Sequence, residues 1–252
     1  MYGDYKTYQG AGVNPPHAPA YPLEWYCPEV RSLQVVAEVD SHVVKKILSY
    51  TPFEYVSNRA KFSINYEKGH TLTTPEGYYE ANVMVAARYK EHLSYHTIYI
   101  YCTDATAILG GREVWGYPKK DADVHLWEDS DHKWGKVVRE GVTLFEMDFR
   151  ADPGAPEVPL AEGKELYGQL NVRRLPLVDR PGEAYGDITF RAGTSMFKEK
   201  LLGHATLNLG ELKWDPIYEL KPKVLGATFM AFDFGGHFKD ETRKILDSWT
   251  NR

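Results

Sequence analysis

The apolar positions of this chain recur mostly at every second residue. "SLQVVAEV" (32–39) predicts a strand on that alternation, and "AKFSINYE" (60–67) predicts the next. "GYYEANVMVAARY" and "SYHTIYIYCT" follow, β-branched and aromatic throughout. "ADVHLWED", "KVVREGVTLFEMDFRA", "LYGQLNVRRLPLV", "AYGDITFRAG", "HATLNLGELKW" and "GATFMAFDFG" add further strands. Helical spacing is confined to short pieces. Asp40 caps "SHVVKKIL", which Pro52 ends, and Asp104 caps "ATAILGGRE". At the C-terminus, "KDETRKILDSW" predicts a short amphipathic helix. The Pro- and Gly-dominated stretch 152–163 is a loop.

Residues 1–28 are rich in Gly, Pro and Tyr, with "NPPHAPAYP" at their centre, and predict an extended arm. Its tyrosines and Trp25 give it something to bury, against its own domain or a neighbouring subunit. Residues 29–252 contain no repeat and no second hydrophobic core, so they predict one domain. The fold class expected is α+β and β-rich, a closed or nearly closed β-barrel with a few short helices, because closure removes exposed strand edges.

Composition narrows the function. Eighteen tyrosines carry the aromatic share to 13%, in keeping with β structure. A formal net charge of -5 argues against a nucleic-acid partner or an anionic membrane surface. No window approaches the roughly 18–20 apolar residues of a membrane span. "MYGDYKTYQGAG" lacks the basic and apolar blocks of a signal peptide, so the expected location is cytoplasmic. Cys27 and Cys102 are then reduced thiols, with a single disulfide as the open alternative.

Familiar chemical motifs are missing. "LGGREVWG" has neither the spacing nor the context of a phosphate-binding loop, and there is no Gly-x-Ser-x-Gly elbow. His92 and His96 lie four apart, a metal pair on a helix, but their segment reads as a turn entering a strand. Neither a metal nor a cofactor is expected. Arg173 and Arg174 fall on opposite faces of a strand, so at most one points inward.

What remains is "GREVWGYPKK" (111–120). A lysine nucleophile must be a free amine, yet with a reference pKa near 10.4 only about one molecule in 2500 is neutral at pH 7. Lowering the pKa to about 6.5 requires roughly 5 kcal/mol of bias against the ammonium. A second ammonium about 6 Å away supplies roughly 3 kcal/mol at an effective dielectric near 20. The remainder must come from desolvation, for which "VWGYP" offers an apolar flank. In a regular strand Lys119 and Lys120 point to opposite faces, which weakens the mutual repulsion and leaves desolvation the larger effect.

The decapeptide resembles the lysine segment of the acetoacetate decarboxylase superfamily: Gly-Arg-Glu, about four residues with an aromatic, then Pro-Lys-Lys. Acetoacetate decarboxylase is a standard example of a lysine activated by a neighbouring cation. The resemblance implies that Lys119 forms a Schiff base with a substrate ketone and that Lys120 is the perturbing charge. "VVAEVDSHVVKKIL", "GYYEANVMV" and the stretch 192–229 extend the likeness over roughly residues 20–235. By the same resemblance Glu80 is an active-site glutamate, the lysine sits in a cavity of a β-barrel, and the protein is a homo-oligomer. Tyr117 is placed to orient a carbonyl or hydroxyl of the substrate.

Two departures bear on the chemistry. The family's arginine before the first strand falls at Val30, with Arg31 beside it as a candidate replacement. Its second glutamate falls near Ser63. A one-residue slip to Arg31 would reverse that residue's face. The expected substrate is a small oxo acid. A carbon–carbon lyase of the aldolase–dehydratase kind, joining pyruvate and an aldehyde, is favoured slightly over a β-keto acid decarboxylase. A barrel that binds a small ligand without turnover is the rival from another class.

Overall fold

The computed structural model describes residues 24–69, 76–176, 184–237 and 243–251. Thirteen strands among the described residues carry the fold. The first half contains β1 (Glu24–Glu38), α1 (Ser41–Leu48), β2 (Glu54–Lys68), β3 (Tyr78–Tyr89), β4 (His92–Cys102) and α2 (Ala105–Gly110). A π-helical turn over Gly111–Trp115 leads to β5 (Lys119–Asp121), then β6 (Asp123–Asp129), β7 (His132–Arg139) and β8 (Val142–Ala151). After the long loop come β9 (Gln169–Pro176), β10 (Ala184–Arg191), β11 (Thr194–Leu209), β12 (Lys223–His237) and β13 (Arg243–Asn251). Both predicted caps form: Asp40 accepts from the His42 amide at 2.9 Å and Asp104 from the Ala107 amide at 2.7 Å.

The strands form one sheet in the order β13-β10-β9-β4-β3-β2-β1-β12-β11-β8-β7-β6, with β5 beside β4. Among the described residues the end strands β13 and β6 do not pair with each other, so of the expected closed or nearly closed barrel the hydrogen-bonded ladder is open. The sheet instead folds over itself. β6 lays its face across β2, β3 and β4, and the apolar residues between these layers make the main core. Phe62 and Phe145 meet there edge to face at 5.8 Å, both fully buried.

Alternation divides β1, β2 and β3 cleanly. Leu33, Val35 and Ala37, then Phe62 and Ile64, then Ala81, Val83 and Val85 face that core. Ser32 and Gln34, Ser63 and Asn65, then Glu80 and Asn82 face a cavity on the other side of the sheet. Two buried faces, one apolar and one polar, thus come from the same strands.

The predicted C-terminal helix is a strand instead. β13 pairs along β10 from Ala184↔Asn251 to Arg191↔Arg243. A helix would leave the outer edge of β10 without backbone partners, whereas the strand satisfies them. Ile245 is then exposed and Leu246 packs on the core, the two-sided alternation of a strand. β11 also starts ten residues earlier than "HATLNLGELKW" suggested, because its first half pairs with β12.

Residues 24–28 of the predicted arm begin β1, and residues 1–23 lie outside the described residues. Cys27 and Cys102 are both buried free thiols. His96 is a core residue whose Nδ1 bonds the Leu170 carbonyl at 2.8 Å, and burial lowers its pKa to about 4. Arg173 is ion-paired to Asp187 while Arg174 is exposed. Among the described residues no helix is long and apolar enough to cross a membrane.

Candidate active site

The decapeptide's shape follows from its own residues. Gly116 ends the π-helical turn at φ 76°, where a Cβ would fall 2.4 Å from the Arg173 amide nitrogen. Pro118 then centres a three-residue turn closed by the Lys119 amide on the Tyr117 carbonyl at 2.8 Å. β5 leaves that turn parallel to β4, with Lys119 opposite Ile100 and Lys120 opposite Tyr101. The Arg112 guanidinium donates to the Lys119 carbonyl at 3.2 Å. A Cβ on Gly111 would lie 2.7 Å from both Cδ and Cε of Lys119, so the glycine clears the path of the lysine stem.

Lys119 is buried, 6% exposed, at one end of a cavity of about 560 Å³. Its Nζ donates to Glu80 Oε2 at 2.5 Å. Cys102 Sγ lies 3.8 Å from Nζ, and the Tyr78 ring centre 5.7 Å away. Burial alone would lower the Lys119 pKa; its anionic surroundings outweigh that and raise it. Cys102 is itself pushed up by burial and is uncharged near neutrality, so the Glu80 carboxylate is the charge that holds the ammonium.

A second carboxylate lines the same end. Glu67 accepts from the Tyr78 hydroxyl at 2.9 Å, and its pKa is raised to about 7, first by burial and then by the charge of Glu80. Arg191 also lines this end, its guanidinium 5.2 Å from the Trp115 ring centre and 5.8 Å from that of Phe234. Tyr117 faces the cavity with its hydroxyl on Gln169.

Lys120 does not share this pocket. It leaves the other face of β5 and ends on Asp215, which is fully buried and also accepts from Arg139 at 2.5 Å. Arg31 is not in the cavity either, which corrects its assignment to the substrate. Val30, Ser32 and Gln34 point inward from β1, so Arg31 points outward, its Nε donating to Glu128 at 2.6 Å. Val30 and Ser63 do face the cavity. The structure thus gathers Lys119, Glu80 and Tyr117 and separates Lys120 and Arg31 from them.

Glu67, Tyr78 and Arg191 were not singled out from the sequence. The signal for Glu67 was available, since it follows Ser63 and Asn65 at period two on a strand already recognised. Arg191 had no such signal, because it comes from β10, far from the motif in sequence.

The family model for acetoacetate decarboxylase matches residues 13–245, and the chain belongs to the acetoacetate decarboxylase family. Acetoacetate decarboxylase of Burkholderia multivorans is 36% identical over 153 residues, covering 57% of this chain and 58% of that protein. The Burkholderia vietnamiensis enzyme is 36% identical over 60 residues, 24% of each chain. The matched parts therefore span less than two thirds of these relatives. In fold, the chain resembles acetoacetate decarboxylase from Legionella pneumophila, with a TM-score of 0.78, 19% identity and 95% of each chain covered. It also resembles the enduracididine biosynthesis enzyme MppR in complex with the condensation product of pyruvate and imidazole 4-carboxaldehyde. There the TM-score is 0.70 at 15% identity, with 97% of this chain and 92% of that one covered.

Proposed function

We propose that the protein is a Schiff-base-forming carbon–carbon lyase acting on a small oxo acid, with Lys119 as nucleophile. The observation that carries this reading is the buried 2.5 Å hydrogen bond from Lys119 to Glu80 inside the cavity. A raised pKa does not disable the amine. Moving the proton from Nζ to the Glu80 carboxylate removes two buried charges at once, and burial favours that neutral pair. Glu80 is thus the base that frees the amine, in place of a neighbouring cation that repels its proton.

The amine attacks the ketone carbon to give a carbinolamine, which loses water to form the iminium. Glu80 then carries the compensating negative charge. With pyruvate, loss of a methyl proton to Glu80 gives the enamine, whose carbon attacks an aldehyde. Glu80 returns that proton to the new alkoxide and then takes a second proton from the same carbon, while Glu67, protonated up to about pH 7, gives its proton to the departing hydroxyl, which leaves as water. Hydrolysis of the iminium releases an unsaturated 2-oxo acid and restores Lys119. Arg191 holds the 2-oxo acid carboxylate, Tyr117 orients the carbonyl, and Lys120 anchors β5 through Asp215. Cavity-facing Val30 and Ser63, where the family pattern has arginine and glutamate, favour this aldolase–dehydratase chemistry over decarboxylation.

The test is borohydride reduction in the presence of pyruvate, acetoacetate and related oxo acids, read by peptide mass. A reduced adduct on Lys119 is expected. Carbon dioxide release from acetoacetate that Lys119→Ala abolishes would instead establish the decarboxylase. The raised pKa of Lys119 favours a second reading, a protein that holds a small ligand in this cavity without turnover. No adduct with any oxo acid would establish that one.

A further inference from the structure

The cavity extends well beyond Lys119, and strand register orders its walls into rows. At the reacting end Asn65 is opposite Glu80, and Glu80 is opposite Cys102. The middle row runs Gln34, Ser63, Asn82 and Ile100. At the far end Val36, Lys61, Met84 and Thr97 stand side by side on β1 to β4. Lys61 is four residues from Asn65, which places the far row about 13 Å along the sheet from Glu80.

Lys61 and Thr97 are both left wanting a ligand. Lys61 lines the cavity, and among the described residues its ammonium has no carboxylate partner; it lies 4.5 Å from the centre of the Tyr95 ring. Thr97 is 1% exposed, lines the same cavity, and its Oγ1 has no hydrogen-bond partner. A half-buried cation with no carboxylate beside it and a buried hydroxyl with no hydrogen-bond partner are each costly, and one anion at this end would serve both. Nothing in the chemistry of Lys119 uses either group.

The wall that β1, β2 and β3 present between the two ends is polar, while Ile100, Met230 and Phe232 line other parts of the cavity. Gln34 donates to Ser32 at 2.9 Å, Ser32 to Asn65 at 2.5 Å, and Ser63 to Asn82 at 2.7 Å. Such a ladder suits an oxygen-bearing chain better than a hydrocarbon one. The loop after β8 closes the far end. A Cβ on Gly226 of β12 would meet Val158 at 2.7 Å, so this loop packs directly against the sheet.

We propose that Lys61 and Thr97 form an anion site for the distal end of the substrate. The substrate class is then an elongated, oxygen-rich oxo acid carrying a second anionic group several bonds from the carbonyl that meets Lys119. This deepens the Schiff-base reading and rests on it for the position of the carbonyl. Burial lowers the Lys61 pKa to about 8, and a bound anion returns it toward its ordinary value.

The probes are methyl ketones ending in a carboxylate, from levulinate with two intervening methylenes to homologues with six, each beside its methyl ester. Borohydride trapping on the full-length protein gives the half-saturating concentration of each. The longer acids are expected to saturate about tenfold below their esters, the value of one charge-assisted hydrogen bond, with levulinate showing little preference. Lys61→Gln and Thr97→Val should each reduce that acid-to-ester ratio, and Lys61→Arg should restore it. The ratio is taken within each variant, so a general loss of folding cancels. Calorimetry of the longest acid and its ester on Lys119→Ala reads the same preference with no imine formed. An acid preference there, abolished by adding Lys61→Gln, supports the far site even if no imine is ever trapped. Trapping of pyruvate with equal affinity for acids and esters at every length would overturn the far site and leave the Schiff-base reading standing. Absence of any adduct would overturn that reading alone.

Discussion

Lys119 and Lys120 leave β5 on opposite faces, and each ends on a carboxylate of its own, Glu80 for the first and Asp215 for the second. The adjacent charges are therefore separated by the strand and neutralised apart. Lys120→Met should leave the titration of Lys119, followed by NMR of labelled lysine, within error of the parent. Asp215→Asn strips both Lys120 and Arg139 of their buried anion. It should destabilise the fold by about 2–3 kcal/mol, less than for a fully buried pair because both cations are partly solvated. Denaturant unfolding measures this, and a large shift in Lys119 titration with little loss of stability would refute the separation.

Glu80→Gln removes both the base and the anion that holds the Lys119 ammonium. Imine trapping should slow by roughly a hundredfold or more. The pKa of Lys119 should fall, because burial then meets less opposition. An amine-directed reagent should accordingly modify Lys119 at lower pH in the variant than in the parent, even as oxo-acid chemistry is lost.

Glu67 gives the fold a pH dependence of its own. In the folded chain it keeps its proton to about pH 7, whereas its ordinary value is 4.5. Between those values the native state binds more protons than the unfolded one, so stability falls as pH rises through the window. The loss reaches up to about 3 kcal/mol. Glu67→Gln should flatten that slope in unfolding curves taken from pH 4.5 to 8. It should also remove the alkaline limb near pH 7 from any dehydration rate.

Gly111→Ala tests why a glycine opens the motif. The added methyl meets the middle of the Lys119 stem, displacing Nζ from Glu80. A shift of about 1 Å in a reacting group costs roughly a hundredfold in rate. Trapping should fall by that order while circular dichroism and the melting temperature change little, since the methyl displaces a side chain and not the backbone.

Much of this site was legible early. The opposite faces of Lys119 and Lys120, the split of Arg173 from Arg174, and the outward face of Arg31 all follow from the period of two. Glu80 came from likeness to a family, not from its own surroundings. The C-terminal segment misled because "KILDSW" satisfies a helical pattern and a strand pattern alike over so few residues. Only the unpaired edge of β10 distinguishes them.

By itself, the sequence determined where most of the strands run and which residues share a face, because side-chain alternation is a local property of the backbone. Which faces meet was decided only by tertiary structure. The register of β2 on β3 puts Glu67 opposite Tyr78 and diagonal to Glu80, the insertion of β5 next to β4 brings Lys119 to them, and β4 sets Thr97 level with Lys61. The balance between burial and charge at Lys119 belongs to that same level. It depends on groups from four strands, and no local pattern encodes their convergence.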